Sequence, residues 1–397
     1  MKTLFLCGVF ADENQEEIKL NAKAPIEYSA NVVQKKLIDG FHKTADDFTI
    51  LSAPFIGSFP NAYKKTCFKG FKNKQDYCKY VNFCNVWGMR NFSRAKSLKK
   101  NLKDFIKAEN EEKLIVVYSV HTPFLEAAVY AKKKDRRIKI CLIVPDLPQY
   151  MNLNEKKSLL YRVGKKYDIK KFNKFNKFVD HYVLLTSQMK DVLNVGGRPY
   201  TVVEGIVDQN EFEVIKEKKL KIVKDKTIKE IVYAGKLNEK FGVKNLINAF
   251  LMTENENYRL ILCGKGDLFP YAEEMAKKDS RIILKGQVSS DEAKELMIRS
   301  DLLVNPRLNN EEYTKYSFPS KTIEYLMTGN PIVAYKLDGM PDVYNDFIFT
   351  PNDDSERALK EKIVEVLENN LNKEGFREYS QNISEEKICK RILDFKC

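Results

Sequence analysis

The stretch Asn305–Ala334 reads NPRLNNEEYTKYSFPSKTIEYLMTGNPIVA, and its parts follow as loop, helix, turn and strand. Asn309 and Asn310 are loop formers. Pro319 presets φ for a first helical turn, where Ser317 or Ser320 can cap the free N–H groups. Ile323, Leu326 and Met327 form a short apolar face at helical spacing, Gly329 ends the helix, and Pro331–Tyr335 is a buried strand. A helix that starts this way aims unpaired N–H groups and a positive dipole end at one spot, which suits a diphosphate. Glu324 stands just over one turn after Ser320. There a carboxylate can accept two hydrogen bonds from a vicinal diol such as ribose. An ordinary αβ unit with one surface glutamate fits the same spacing.

Outward from this stretch, apolar runs alternate with helical segments. The first half holds Thr3–Cys7, Phe48–Ser52, Leu114–Ser119, Lys139–Val144, His181–Leu185 and Thr201–Val203. The second half holds Glu230–Ala234, Arg259–Cys263, Ile282–Lys285, Leu302–Asn305, Ile332–Tyr335 and Phe347–Thr350. Continuous Val/Ile/Leu strands between helices imply buried parallel sheets, and two sets imply an α/β protein of two doubly wound, Rossmann-like domains. The boundary falls near Ile206–Thr227, which is charged and poor in buried pattern. The expected domains are 1–206 and 207–379. Ser384–Phe395 reads as a final helix. Residues 54–112 look like loops or short strands in an insertion.

The stretch around Glu324 resembles the donor-binding segment of retaining glycosyltransferases of the GT-B fold, family 4. The resemblance is strongest from about Val179 to Asn352 and weak before Leu114. That pattern is a Glu, seven residues, a second Glu, then a small helix ending in Gly. Glu324 matches the second Glu, which in the family grips the nucleotide ribose. Tyr316 stands where the first Glu would contact the donor sugar, and the nearest carboxylates are Glu311 and Glu312 in the preceding loop. The resemblance implies two domains facing a cleft, with the last helix, 380–397, packing back on the first domain. It also implies an acceptor met by the N-terminal domain.

Three loops that follow strands carry further matches. Gly235 allows a tight turn after Ile231–Ala234, and Lys236 places a cation at the strand's carboxyl end, suited to a leaving diphosphate. The family has a Gly followed by Arg or Lys here, and a second Lys just before a later Gly. Phe241 precedes Gly242 instead, with Lys240 adjacent. Gly264, in Cys263-Gly-Lys-Gly266, resembles the family's glycine turn beside the nucleotide. Val288 matches a residue that meets the base through its backbone, and Ser289-x-x-Glu292 is a capping box. Ser317, Phe318, Ser320 and Lys321 lie in the donor segment. A tight turn with surface lysines is the alternative for each loop.

In the first half, Gly8 forms the turn after the first strand. His121 ends Val116–Val120 before Thr122-Pro123 and resembles the family's histidine near the donor sugar, which would orient or polarise the sugar and not attack it. Asp146 is another polar residue at a strand end. His121, Lys236 and Tyr316 are the catalytic candidates. No dedicated nucleophile is visible, so the resemblance implies front-face attack, with the phosphate taking the acceptor proton. Lysines and a helix start neutralise the diphosphate, so no metal and no cofactor besides the nucleotide-sugar co-substrate is expected.

The chain has 397 residues and a net charge of +13. Residues 1–205 hold 37 Lys and Arg against 21 Asp and Glu, so the basic surface belongs to the first half. Lys156–Phe178 alone carries nine Lys or Arg and one acid, with Leu159, Leu160, Val163, Ile169, Phe172 and Phe175 at near-helical spacing. It reads either as a basic amphipathic helix pair on an anionic membrane surface or as a domain helix whose apolar face is core and whose lysines are solvated. No nucleic-acid motif accompanies the charge. No apolar run approaches a membrane span, and MKTLFLCGVFADENQEE reads as a first strand, not a signal peptide. The eight scattered cysteines lack metal-ligand spacing and suit a reduced cytosolic protein.

The expectation is a retaining, metal-independent hexosyltransferase, cytoplasmic or peripheral on the inner membrane face. It would use a nucleotide sugar, UDP-linked, and a lipid-linked or polysaccharide acceptor in capsular or exopolysaccharide synthesis. A nucleotide-sugar epimerase of the same fold and an inactive glycan-binding relative are the alternatives.

Overall fold

Strands form where Val, Ile and Leu run on without polar interruption, because helices cover both faces of each sheet. The computed structural model describes residues 1–24, 26, 28–72, 78–109, 112–147, 159–223 and 227–395. The chain divides into two units, Met1–Ile206 with Glu385–Cys397, and Val207–Ser384.

The strands of the first unit are β1 (Lys2–Cys7), β2 (Asp47–Ser52), β3 (Cys67–Phe68), β4 (Cys78–Tyr80), β5 (Phe83–Cys84), β6 (Lys113–Tyr118), β7 (Ile138–Val144), β8 (His181–Leu184) and β9 (Tyr200–Val202). Seven of them form one parallel sheet in the order β4-β2-β1-β6-β7-β8-β9. β3 and β5 pair separately, antiparallel. All six residues of β6 are buried, as a central strand requires. The helix Glu385–Leu393 packs on the helix Tyr28–Thr44. Lys43 Nζ reaches Glu385 Oε1 at 2.9 Å, and a Cβ on Gly40 would lie 2.5 Å from the Glu385 carbonyl oxygen.

The second unit holds β10 (Lys229–Ala234), β11 (Tyr258–Cys263), β12 (Ile282–Gly286), β13 (Leu302–Asn305) and β14 (Ile332–Ala334). Their order is β12-β11-β10-β13-β14, all parallel. The chain starts at the central strand, moves outward one way, then returns to build the other side. The topological switch therefore lies between β10 and β13, and in open α/β sheets ligands bind beyond the carboxyl ends at such a point.

Four sequence expectations need correction. Phe347–Thr350 is not a strand. It makes one bridge, Phe349 to Val333, because Phe347 turns into an aromatic cluster with Tyr344, Phe376 and Tyr379. The charged boundary segment contains a helix, Gln209–Leu220, capped by Asp208 and burying Phe212 and Ile215. The described part of residues 54–112 holds the expected short strands, β3, β4 and β5, but it is more than an insertion of loops and short strands. It supplies edge strand β4 and a helix, Arg90–Asn101, packed on the helix Thr122–Lys134. Leu159–Asn176 is one helix, not a pair, and Ile169 is exposed where Phe172 is buried. Lys156, Lys157 and the rest of 148–158 lie outside the described residues.

Candidate functional site

The loops after β10, β11, β12 and β13 lock together at the carboxyl edge of the second unit's sheet. Gly264 and Gly242 make this possible. Both have positive φ, 137° and 74°. A Cβ on Gly264 would fall 1.8 Å from the Gly235 carbonyl oxygen, and one on Gly242 would fall 1.8 Å from that of Pro306. No side chain fits at either position. The Gly264 N–H also donates to the Gly286 carbonyl at 2.7 Å, and the Leu237 N–H donates to that of Lys265 at 3.1 Å. Gly235, Gly264 and the Val288 turn are thereby stacked side by side, with Gly242 pressed across the switch point onto the loop after β13.

Lys236 is exposed on this rim. Its backbone is fixed by the Tyr233 hydroxyl, which donates to the Lys236 carbonyl at 2.9 Å. Lys240 Nζ lies 5.2 Å from the centre of the Phe241 ring. Ser289 Oγ accepts the Glu292 N–H at 3.2 Å, completing the first half of the capping box.

The helix after β13 spans Ser320–Met327, and its N-cap is Pro319. No side chain caps it, contrary to the role expected of Ser317 or Ser320. Ser317 Oγ instead accepts from Arg307 Nη2 at 2.8 Å. The helix start thus lacks a side-chain cap, and an uncapped helix start favours an anion. Phe318 is buried on Tyr344, with ring centres 4.9 Å apart, so only its backbone is available to a ligand. Lys321 Nζ reaches Glu324 Oε2 at 2.6 Å, both side chains being 41% exposed. Tyr316 ends a short 3-10 turn, Glu312–Tyr316, while Glu311 and Glu312 face solvent.

Two residues of this region escaped the sequence reading. Arg307 is buried just past β13, its guanidinium 4.9 Å from the Tyr313 ring centre and 5.9 Å from that of Phe241. Burial lowers its pKa. A Pro-Arg pair directly after a strand at the switch point is the signal that could have found it. Tyr325 is fully buried on the inner face of the helix, and its hydroxyl reaches β10 at Ala234.

Gly8 and His121 belong to the first unit, where Phe55 joins them. The Phe55 N–H donates to the Gly8 carbonyl at 2.9 Å, and a Cβ on Gly8 would meet the Phe55 ring at 2.5 Å. His121 is the N-cap residue of the helix Thr122–Lys134. Its ring stands edge-on to Phe55 and Phe124, with centres 5.5 and 4.8 Å away. Arg94 Nη1 lies 3.3 Å from His121 Nε2, which makes Nε2 the acceptor and leaves the ring proton on Nδ1. Burial, then Arg94 and Arg90, hold the His121 pKa well below the usual imidazole value. A neutral imidazole can orient or polarise a hydroxyl but carries no cationic charge. Among the described residues no three His, Cys, Asp or Glu side chains gather as a metal site. None of the helices searched is long and apolar enough to cross a membrane.

Residues 228–369 match the family model described as glycosyl transferases group 1. No curated protein matches. Among solved structures, Anabaena Alr3699/HepE in complex with UDP is 15% identical with a TM-score of 0.61, covering 99% of each chain. The lipopolysaccharide outer core galactosyltransferase WaaB, in its apo form, is 13% identical with a TM-score of 0.63, covering 99% of this chain and 98% of that one. Sucrose-phosphate synthase (tll1590) from Thermosynechococcus elongatus is 12% identical with a TM-score of 0.63 over the same shares. At these identities the likeness establishes the fold, which is GT-B.

Proposed function

We propose that this chain is a glycosyltransferase that moves a hexose from a UDP-linked donor to a lipid-linked or polysaccharide acceptor, with retention of configuration. One observation carries the reading. The segment that matches group 1 glycosyl transferases contains four loops packed at one switch point, with Lys236 and the uncapped start of the Ser320–Met327 helix on its rim. The UDP complex of HepE supports the choice of nucleotide.

In this reading the backbone N–H groups of Ser320 and Lys321, together with the ammonium groups of Lys236 and Lys321, hold the diphosphate. Glu324 holds the ribose, and Gly264 and Val288 border the base. Lys240 adds charge near Gly235. Tyr316 borders the sugar in place of a carboxylate. The acceptor oxygen forms a bond to the anomeric carbon on the face from which the phosphate oxygen departs. The anomeric C–O bond to the diphosphate breaks, and a diphosphate oxygen takes the acceptor's proton. Positive charge fixed before the reaction stabilises the departing diphosphate, so no metal is required. Within the first unit, neutral His121 is suited to orient a sugar hydroxyl, beside the turn that Gly8 makes with Phe55. The basic first half suits an acceptor with a diphosphate lipid, and with it a place on the inner membrane face in surface-glycan synthesis.

Incubation with a panel of UDP-sugars and glycan or lipid-diphosphate acceptors tests this, with the product's anomeric configuration read by NMR and a parallel arm in EDTA. Transfer with retention, unchanged by EDTA, is expected. Epimerised donor without an acceptor, or binding with neither transfer nor donor hydrolysis, selects one of the alternatives.

A further inference from the structure

Among the described residues, the first unit carries an exposed apolar tip. Trp87, Met89 and Phe92 are 57%, 59% and 72% exposed, although they stand within six residues of one another. Side chains of this size are ordinarily exposed singly, so a cluster of three marks a contact surface.

The tip is firmly held. The Trp87 N–H donates to the Phe59 carbonyl at 3.0 Å, and the Met89 and Arg90 N–H groups both donate to the Val86 carbonyl, at 3.1 and 3.0 Å. Arg90 Nη1 donates to the Ile56 carbonyl at 2.9 Å, and Arg94 Nη2 donates to that of Pro54 at 2.5 Å. Gly88 turns the chain with φ of 82°, and beyond it is open space. Projecting Trp87 and Met89 is thus the outcome of a fixed turn. Both arginine contacts are made to the loop after β2, so the tip stands at the carboxyl edge of the first unit's sheet.

Charge decides the occupant. Residues 78–103 contain seven Lys or Arg and no Asp or Glu. Arg90 and Arg94 turn inward, but Lys96 and Lys100 follow Phe92 at four-residue steps on the exposed helix face. A projecting Trp, Met and Phe with lysines behind them on one face match the boundary between acyl chains and anionic headgroups. A glycan platform would instead use carboxylates, of which residues 78–103 have none, or exposed amides, whereas Asn85 turns inward to donate to the Gly57 carbonyl at 2.8 Å and the Asn91 amide oxygen is buried.

We propose that the Trp87–Phe92 tip docks this protein on an anionic phospholipid bilayer, its apolar side chains in the interface and Lys96 and Lys100 on the headgroups. The purpose, meeting a lipid-linked acceptor, rests on the glycosyltransferase reading. The docking itself does not, and it is measured without sugar.

Trp87 is the chain's single tryptophan, so its emission reports the site directly. The full chain is mixed with phosphatidylcholine vesicles, with and without about one-third phosphatidylglycerol. A blue shift with the anionic vesicles, quenched by acyl-brominated lipid and reversed by salt, is the expected result. Phe92→Ser, at an exposed position, should lower partitioning about tenfold with its melting temperature unchanged. Co-sedimentation without a change in Trp87 emission assigns the contact to another face and overturns the proposal. So does a shift produced by oligosaccharide alone, or an emission that depends on protein concentration, which marks a contact between copies. Transfer to a soluble acceptor by a protein that ignores vesicles would remove the docking and leave the glycosyltransferase reading intact.

Discussion

The Tyr325 hydroxyl accepts the Ala234 backbone N–H at 2.9 Å, in the buried space between β10 and the helix Ser320–Met327. β10 pairs with β13 only at Ile231 and Val232, so the strands have parted by Ala234 and the phenol takes the place of a ladder bond. Asn305 Nδ2 ties the end of β13 to the same helix through Thr322 Oγ1 at 3.1 Å. The position of the helix start relative to Lys236 is thus set by side chains pinned to two strand ends.

Tyr325→Phe keeps the ring and leaves the Ala234 N–H unsatisfied, at a cost of about 1–3 kcal/mol. The melting temperature should fall by several degrees. UDP affinity, read by calorimetry, should fall with it, because the Gly235-Lys236 turn follows Ala234 directly. A lower melting temperature with unchanged UDP affinity would confine Tyr325 to the fold.

Lys321 and Glu324 form a half-exposed pair, worth less than about 1 kcal/mol to stability. Substituting either should leave melting nearly unchanged. Their ligand effects should separate. Glu324→Ala removes bonds to ribose and should weaken uridine and UDP alike, by roughly tenfold or more. Lys321→Ala should weaken UDP and spare uridine. Unchanged affinity of Glu324→Ala for uridine would end its ribose role.

The sheets were legible because parallel strands buried on both faces read as unbroken Val/Ile/Leu runs. Phe347–Thr350 has the same local look, but Phe347 joins aromatic rings that become neighbours only in the fold. The glycine turns of the site were legible for a local reason, a tight turn after a strand. What a Cβ would strike at Gly242 is Pro306, far along the chain, and no spacing reveals that. Tyr325 looked like one more apolar helix residue, since its partner is 91 positions away. Arg94 sits among lysines and reads as a solvated cation, yet it is buried beneath His121 with its guanidinium 4.4 Å from the Phe83 ring centre.

Lys236→Ala should lower kcat more than it weakens binding of the UDP-sugar. Charge on the diphosphate grows as the anomeric bond lengthens, so a fixed ammonium stabilises the transition state more than the ground state. Lys236 is exposed, so the fold should tolerate the change. Steady-state kinetics with calorimetry of donor binding decides the matter. Equal losses in kcat and affinity, or no loss, would take Lys236 out of the chemistry.

Acid stability should carry a signature of His181. This histidine lies at the start of β8, 1% exposed, with its ring stacked 4.4 Å from Phe395. Burial pushes its pKa down to about 4, while the neighbouring Asp180 acts in the opposite direction. Above the ordinary imidazole pKa of about 6.5 the ring is neutral in both folded and unfolded chains and has no effect on pH dependence. As pH falls from there toward about 4, the unfolded chain binds a proton that the folded chain refuses, and stability drops. Over that window the loss is about 3 kcal/mol. His121 is shifted in the same direction, so the parent protein loses stability from both rings. His181→Gln removes one of them. Denaturant melts at pH 7 and pH 4.5 should show a smaller acid loss for the variant than for the parent, whatever its stability at neutral pH. Equal losses would mean that His181 protonates as readily in the folded chain as in the unfolded one.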